Sequence, residues 1–390
     1  MLRGAPLLSV LTSCDSLEHM PKKLALAALT SFLIVFGVVC QPLSSDQKSK
    51  PLNMLVLGDS IIWGQGLKPE HKSWYQVKLW LEQTTGKTVL ERVEAHSGAL
   101  IEPGPTDDRL SANNPEVNLA RPTVHDQVDA ALKYYADPAT VDVILLSACG
   151  NDVGVENLLN ASKVEEIDDM AARKCGAPME RLLRRVAGAF RAATIFVVGY
   201  YPFFSDQTRN DFILKGLTKR FVKVVVGTPR LSNKELLVRL TENSRDWYAA
   251  SNKTLNQVAQ KLNAETASPR PRIIFAKIDF PPEYSFAAHD TRLWGFNRSP
   301  FRMLMLFLSF GKMLLPANDE VRRQRTASCN DVFKTIPGEA TDEKREREKR
   351  RMFCRYASLG HPNRLGARLY ADAVIALMPT TLAAMSPGGP

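Results

Sequence analysis

From residue 52 onward, short apolar segments alternate with longer amphipathic segments. The apolar segments have the length of strands and cover residues 53–57, 88–95, 141–146, 194–199 and 272–278. The amphipathic segments predict helices over residues 74–84, 123–134, 178–190, 246–262 and 366–378. This alternation is typical of parallel strands joined by crossover helices. It predicts an α/β fold, a flavodoxin-like three-layer α/β/α sandwich around a central parallel five-stranded sheet, with sites where the strands reach their carboxyl ends.

Two stretches interrupt the alternation and are expected to be insertions, near residues 203–245 and 281–355. The second contains the run DEKREREKRR at residues 342–351. Glutamates interleave with the basic residues, which favours a solvated helix face over a surface for nucleic acid or an anionic polymer.

The N-terminal part resembles an export signal. Residues 24–39, LALAALTSFLIVFGVV, carry no charge and follow a Pro-Lys-Lys triplet. We expect a basic segment over residues 1–23 with Met20 as a possible true start, and a signal peptide or membrane anchor over 24–40. A buried core helix is the alternative. A polar linker over 41–51 then leads to a folded domain over 52–380, followed by a C-terminal tail over 381–390.

Composition narrows the class of protein. With 45% apolar and 24% charged residues, the chain can bury a core and is not disordered, collagen-like or a multi-span membrane protein. The net charge of +10 favours anionic surroundings without selecting among them. The six cysteines form no C-x-x-C pair, no histidines have the H-E-x-x-H spacing, and phosphate-loop and dinucleotide fingerprints are lacking, so we expect neither metal nor cofactor.

Four short motifs follow predicted strands or precede the last predicted helix. GDS ends at Ser60, HSG ends at Gly98, GND is centred on Asn151, and HPN begins at His361. A serine at a strand-to-helix turn has an exposed hydroxyl, and the helix amides point at a developing anion. Glycine lets a backbone N–H approach a reacting oxygen, and an asparagine amide can donate to it. Together the motifs supply a nucleophile, oxyanion donors and a base.

In these four blocks the chain resembles an SGNH hydrolase of the GDSL esterase and lipase superfamily, over about residues 52–380. The resemblance implies catalysis through an acyl-enzyme on Ser60 with His361 as general base. It also implies an oxyanion hole formed by the amides of Ser60 and Gly98 and the side chain of Asn151.

The last block departs from the family pattern. The family usually has an aspartate three residues before the histidine, where this chain has Ser358. The site would then be a Ser60–His361 dyad whose imidazole is held by a backbone carbonyl or a hydroxyl, with Ser358 as the candidate. Alternatively an acid is recruited from elsewhere, such as Asp290 or Asp372, or the site has decayed.

Cysteines lie close to two of the blocks. In an oxidising compartment, Cys329 and Cys354 would bridge the charged insertion just before the histidine block, and Cys149 would pair with Cys175. The acidic residues beside the motifs, Asp59 and Asp152, are expected to cap helices or connect loops.

The sequence therefore predicts an exported serine esterase, whether secreted, periplasmic or membrane-anchored, that hydrolyses a small-molecule or glycan acyl ester. One alternative is a catalytically silent module that binds an acylated ligand, and another is an acyltransferase or deacetylase acting on envelope glycans. Nucleic acid is not an expected partner, and membrane association would occur through the N-terminal segment. An unperturbed histidine titrates near about pH 6.5, so activity is expected to fall in acid.

Overall fold

The computed structural model describes residues 50–379, apart from 105–109, 111, 161–165, 210–218, 220–221, 224–230, 267–271 and 297–318. The expected signal or anchor, most of the linker and the C-terminal tail lie outside the described residues. Within these limits, none of the helices combines the length and the apolar character needed to cross a bilayer.

The core of the fold is a parallel sheet. Its strands are β1 (Leu52–Gly58), β2 (Val89–Val93), β3 (Val141–Ser147), β4 (Thr194–Val198) and β5 (Ile273–Ala276). The strand order is β2-β1-β3-β4-β5, and every neighbouring pair is parallel. This confirms the predicted flavodoxin-like sheet. The order reverses between β1 and β3, where a crevice opens at the carboxyl ends of the strands.

Helices cover the sheet in two groups. In chain order they are α1 (Ser60–Trp63), α2 (Ser73–Thr85), α3 (Val124–Tyr134), α4 (Gly150–Val153), α5 (Val155–Leu158), α6 (Ile167–Cys175), α7 (Ala177–Ala189), α8 (Asn233–Glu265), α9 (Arg322–Val332), α10 (Thr341–Arg355) and α11 (Arg364–Ile375). Helices α2 and α11 contact each other and the sheet, while α3, α7 and α8 form a second contacting group. Because β1, β3 and β4 are buried along nearly all their length, both faces of the sheet must be covered, as in a three-layer sandwich.

The end of β1 approaches β3 very closely. Gly58 has a φ of +129°, and a Cβ atom there would lie 1.9 Å from the carbonyl oxygen of Ser147. The Gln127 side chain of α3 accepts from the Gly58 N–H at 2.7 Å and donates to its carbonyl at 3.0 Å. Only glycine tolerates both the positive φ and the close contact with the Ser147 carbonyl oxygen. Gly58 therefore determines how β1 leads into the turn that follows.

The helices differ from the predictions mainly in the two insertions. Helix α8 begins at Asn233 rather than 246, because Ser232 and Glu235 form a capping box and Leu236 and Leu240 extend the buried face. Part of the stretch expected to be an insertion therefore belongs to a helix of the core. Helix α6 was not predicted from the sequence.

The second insertion contains helices α9 and α10. The charged run lies on α10, where Arg345 pairs with Asp342 and Arg351 with Glu348 at i,i+3 spacing. The prediction of a solvated helix face is confirmed.

Both predicted disulfides are present. Cys149, which precedes α4, is bonded to Cys175 at the end of α6. Cys329 of α9 is bonded to Cys354 of α10. Each bridge ties an element that precedes one of the four blocks to a neighbouring helix.

We predict that Gly58→Ala destabilises the protein by at least about 3 kcal/mol, because the methyl group meets the backbone of β3 and the φ is strained. Gly86→Ala is the matched control, since Gly86 also has a positive φ, of +66°, but a Cβ there has no atom within 4 Å. Its expected cost is about 1–2 kcal/mol. Denaturant unfolding of the two variants measures both, and equal losses would contradict the role given to the β1–β3 contact.

Candidate active site

Ser60 lies at the turn between β1 and α1. It is the first residue of the short helix, and Asp59 caps that helix by accepting a hydrogen bond from the Ile61 N–H at 3.0 Å. The predicted capping role of Asp59 is confirmed. The serine side chain is therefore at the carboxyl end of β1, beside the point where the strand order reverses.

His361 meets Ser60 although 301 residues separate them in the chain. Its Nε2 atom lies 2.7 Å from the Ser60 Oγ, within hydrogen-bond distance. The backbone around the histidine is held on both sides, because its N–H donates to the Ser358 carbonyl at 2.9 Å and its carbonyl accepts from the Trp294 N–H at 2.8 Å. A hydroxyl and an imidazole at this distance form the pair that general-base activation of a serine requires.

Asn151 lies in α4 at the carboxyl end of β3. Its Nδ2 donates to the Ala99 carbonyl at 3.1 Å, and the next residue, Asp152, accepts from the Ile101 N–H at 3.1 and 3.2 Å. The predicted connecting role of Asp152 is confirmed. These bonds attach the loop after β2 to the start of α4.

Gly98 occupies that loop with a φ of +82°. A Cβ there would lie 2.3 Å from the Asn118 Oδ1 and 2.7 Å from the backbone of Leu119, so a larger residue does not fit. Ser60, Asn151 and His361 line a cavity of about 120 Å³, whereas Gly98 is not among the described residues that line it. It is connected to the cavity through Ala99 and Asn151.

Aromatic and aliphatic side chains form the rest of the cavity wall. They come from the segment after β4 and from α5 and α8, and they include Tyr200, Tyr201, Phe203, Val155, Leu158 and Trp247. None of these residues was predicted from the sequence to be part of the site. The three aromatic residues directly after β4 could have been found from their place at the end of a predicted strand.

A buried hydrogen-bond chain joins the first and third blocks. The Tyr200 hydroxyl donates to Asp59 Oδ2 at 2.8 Å and accepts from the Gly150 N–H at 2.7 Å. Burial raises the pKa of Asp59 to about 6, although the bonds from Tyr200 and Ile61 act in the opposite direction. Tyr200 therefore links the turn that carries Ser60 to the helix that carries Asn151.

The Ser358 hydroxyl does not hold the imidazole. It donates to Asp319 Oδ2 at 2.5 Å and accepts from Arg325 Nη2 at 3.0 Å. The His361 Nδ1 atom is buried without a hydrogen-bond partner among the described residues. This corrects the expectation that the Ser358 hydroxyl orients His361 directly, because a buried ion pair takes up that hydroxyl.

The two other acids proposed from the sequence also bond elsewhere. Asp290 is exposed beside His289, and Asp372 pairs with Arg368 at 2.9 Å on the surface of α11. Neither residue replaces the acid of the family pattern.

The surroundings of His361 favour its neutral form. Burial lowers the pKa of the imidazole to about 4, and the positive charge of Arg325 acts in the same direction. The backbone carbonyls of Leu359, Ala357 and Ser358 raise the pKa by smaller amounts, although none of them forms a well-aligned hydrogen bond with Nδ1. A backbone carbonyl as the group that orients the imidazole therefore stays a prediction. The expectation of an ordinary titration near pH 6.5 is therefore corrected, because the burial of the ring could not be read from the sequence.

Comparisons with known proteins give structural neighbours only. No protein-family model matches the sequence, and no curated protein matches it. An extracellular lipase from Streptomyces rimosus has 12% identity and a TM-score of 0.43, and the match covers 83% of this chain and 99% of the lipase. A phospholipase A1 from Streptomyces albidoflavus has 13% identity and a TM-score of 0.38, covering 64% of this chain and 89% of its own.

A family 3 carbohydrate esterase from Clostridium thermocellum has 13% identity and a TM-score of 0.37, covering 86% of this chain and 99% of its own. Because identities and TM-scores are this low, the activity is inferred below from the side chains of this chain.

We predict that Tyr200→Phe destabilises the protein by about 1–3 kcal/mol at pH 8, because it leaves the Asp59 carboxylate and the Gly150 N–H without their buried partner. The loss should shrink toward pH 5, where Asp59, with its raised folded-state pKa of about 6, becomes protonated. Tyr134→Phe is the control, since Tyr134 is 58% exposed, and it should change stability by less than about 0.5 kcal/mol. Chemical denaturation at both pH values measures the effect, and a pH-independent loss would refute the charge argument.

Proposed function

We propose that this protein is an exported serine esterase that hydrolyses carboxylic acyl esters through an acyl-enzyme on Ser60. The observation that carries the proposal is the 2.7 Å contact between the Ser60 Oγ and the His361 Nε2. The pair lines a cavity with Asn151 at the switch point of the sheet, where ligands bind in open α/β folds.

In the proposed reaction, His361 takes the Ser60 proton as Oγ attacks the ester carbonyl. The imidazole then gives that proton to the departing alcohol, and the same base activates water to release the acid. Among the described residues, Nδ1 has no acidic partner of the kind that stabilises the imidazolium in a triad. The reaction depends on a base that is neutral before attack.

The oxyanion donors come from two strand ends. The Ser60 amide lies at the start of α1, and the Asn151 side chain has two N–H groups, of which one donates to Ala99. The second is left for the oxyanion, and the Gly98 amide is the third proposed donor. Loss of one such donor typically lowers turnover by about 10² to 10³.

The apolar cavity wall supports an acyl group as the part of the substrate that is bound beside Ser60. Its volume of about 120 Å³ is close to the roughly 150 Å³ of an engineered cavity that holds benzene. A short acyl group therefore fits inside the walled part of the cavity, which is open to solvent on its outer side. An acetylated glycan would satisfy the same requirement, and an acyltransferase would use the same acyl-enzyme with an alcohol in place of water.

Export is supported by the cysteines and by the sequence of the N-terminal part. Disulfides persist in oxidising compartments, and the domain has two of them. The apolar segment over residues 24–40 supplies the proposed signal or anchor.

We predict that Ser60→Ala abolishes hydrolysis of p-nitrophenyl acetate and labelling by a fluorophosphonate, because both reactions need the Oγ nucleophile. Asn151→Ala should retain labelling and lose about 10²- to 10³-fold in kcat. Ser328→Ala on α9 makes the same chemical change as Ser60→Ala but leaves the cavity intact, and it should behave as the wild type. Ester hydrolysis by Ser60→Ala at the wild-type rate would end the proposal, and so would a wild-type chain that neither hydrolyses nor labels.

We predict that His361 remains the neutral base down to acidic pH, so that its own acid limb in kcat/KM appears only as the pH approaches the His361 pKa of about 4. The sign follows from the lowered pKa, because the ring loses its proton at a lower pH and is the neutral base above it. The fluorophosphonate labelling rate between pH 3 and pH 8 measures this without interference from alkaline hydrolysis of the ester. An acid limb at about 6.5 that coincides with titration of the His361 ring, followed by NMR, would contradict it. A limb without ring titration there belongs to Asp59 or Asp152, because burial raises the pKa values of these carboxyls to about 6 and about 7.

A further inference from the structure

A cluster of buried charged and polar side chains contacts residues 355–361, which run from the last residue of α10 to His361 and which we refer to as the histidine loop. The cluster consists of Glu116, Asp319, Arg325 and Ser358, and we refer to it as the Arg325 cluster. The Arg325 side chain is fully buried and donates to Asp319 at 3.1 and 2.5 Å and to Glu116 Oε2 at 3.3 Å. The Ser358 hydroxyl completes the cluster, with bonds to both Arg325 and Asp319.

The cluster contacts the histidine loop at more than one point. Arg325 Nη2 donates to the Ser358 hydroxyl at 3.0 Å and to the Arg355 carbonyl at 3.5 Å. The Ser358 carbonyl accepts the His361 N–H at 2.9 Å. The disulfide between Cys329 and Cys354 also ties the helix of Arg325 to the residue just before this loop. Side chain and backbone of residue 358 thus connect the cluster to the proposed base.

Stability alone does not account for such a cluster. Taking charges out of water is costly, and a buried ion pair often contributes no more than well-packed apolar residues would. A guanidinium, by contrast, is a planar fork that holds several acceptors in fixed directions. Here the guanidinium donates to two carboxylates and to two groups of the histidine loop, the Ser358 hydroxyl and the Arg355 carbonyl. The position of the guanidinium therefore constrains the position of that loop.

We propose that Arg325, held by Asp319 and Glu116, is a positioning residue for His361 and that the Arg325 cluster stands in the structural place of the acid missing at position 358. This inference rests on the proposed function. A carboxylate in that place would accept a bond from Nδ1 and stabilise the imidazolium. The cluster instead holds the loop through Ser358, and the positive charge of Arg325 lowers the pKa of the imidazole, which favours the neutral base.

The other charged groups near His361 have partners of their own. On the cavity side, Asp59 is bonded to Tyr200, Asp152 accepts from the Ile101 N–H, and Tyr201 donates to the Gly360 carbonyl at 2.8 Å. Burial raises the pKa values of Asp59 and Asp152 to about 6 and about 7, so the ring titration, and not the acid limb alone, identifies His361. At the start of α11, Arg364 pairs with Glu320. Behind the cluster, the buried Lys72 lies 3.7 Å from Glu116, and burial lowers its pKa to about 7. Among these groups, Arg325 is the cation whose charge acts on His361.

The decisive experiment removes both members of the ion pair together. Arg325→Met combined with Asp319→Asn keeps the formal net charge and removes the Arg325–Asp319 pair as a whole. Glu116 loses its bond from Arg325 but keeps Lys72 at 3.7 Å and the bonds donated by the Trp63 Nε1–H at 2.9 Å and the Gly66 N–H at 3.2 Å. We expect kcat to fall by about 10-fold or more, since small displacements of reacting groups have large effects. KM should change by less than about 3-fold, and the acid limb should rise from about 4 toward about 6.5.

Two further variants separate charge from geometry. Arg325→Lys keeps the cation but loses the fork, so it should lower kcat and retain the low acid limb. Ser358→Ala removes only the hydroxyl connection and should lower kcat in the same direction with a smaller loss of stability. If the paired variant does not fold, the kcat and the ring titration of Ser358→Ala test the positioning role of the Arg325 cluster. Asn330→Ala is the control, because Asn330 bonds Arg355 on the exposed side of α9 and should leave the acid limb unchanged.

A readout without turnover keeps this inference separate from the proposed esterase activity. In a Ser60→Ala chain, NMR titration of the His361 ring should show a higher pKa when Arg325→Met and Asp319→Asn are added. A folded paired variant with wild-type kcat, acid limb and ring titration would overturn the role of the cluster while leaving the esterase proposal intact. If the wild type neither hydrolyses p-nitrophenyl acetate nor reacts with a fluorophosphonate, the esterase proposal is wrong. The ring titration of His361 would still test the positioning role of the Arg325 cluster.

Discussion

The close approach of β1 and β3 at their carboxyl ends is the constraint on which the candidate site depends. Gly58 allows the two strands to pack where a Cβ would meet the Ser147 carbonyl, and the chain then turns directly into Ser60. On the neighbouring strand, the turn into α4 brings Asn151 to the same edge. A hydroxyl and an amide from distant parts of the chain therefore share one crevice because two parallel strands end side by side.

The imidazole reaches this crevice from a different part of the fold. His361 follows the insertion that contains α9 and α10, and the insertion supports it from behind through Arg325, Ser358 and the Cys329–Cys354 bridge. The insertion thus supports the backbone of the candidate site from behind, although neither α9 nor α10 lines the cavity among the described residues. Its outer surface, by contrast, carries the mixed charges of α10 as solvated i,i+3 pairs.

Burial and charge act together on the base. A triad acid would raise the pKa of the imidazole, whereas burial and Arg325 lower it here to about 4. In the proposed reaction His361 would then be neutral over a wide range of pH, but its cation would gain less stabilisation. The proposed site would therefore balance availability of the base against stabilisation of the charge that forms on it.

The sequence by itself determined the five strands and the motifs at their ends, because hydrophobic period and turn residues act over a few neighbouring positions. The two cysteine pairs were predicted on a different ground, namely an oxidising compartment and the position of the cysteines beside the blocks. It also identified Ser60, Gly98, Asn151 and His361 as candidates, through their resemblance to four known blocks. Only the tertiary structure decided that Ser358 bonds an ion pair, that Tyr200 links two blocks and that Gly98 is connected to the cavity through Ala99 and Asn151. Those outcomes depend on packing and desolvation between residues far apart in the chain, which no local pattern records.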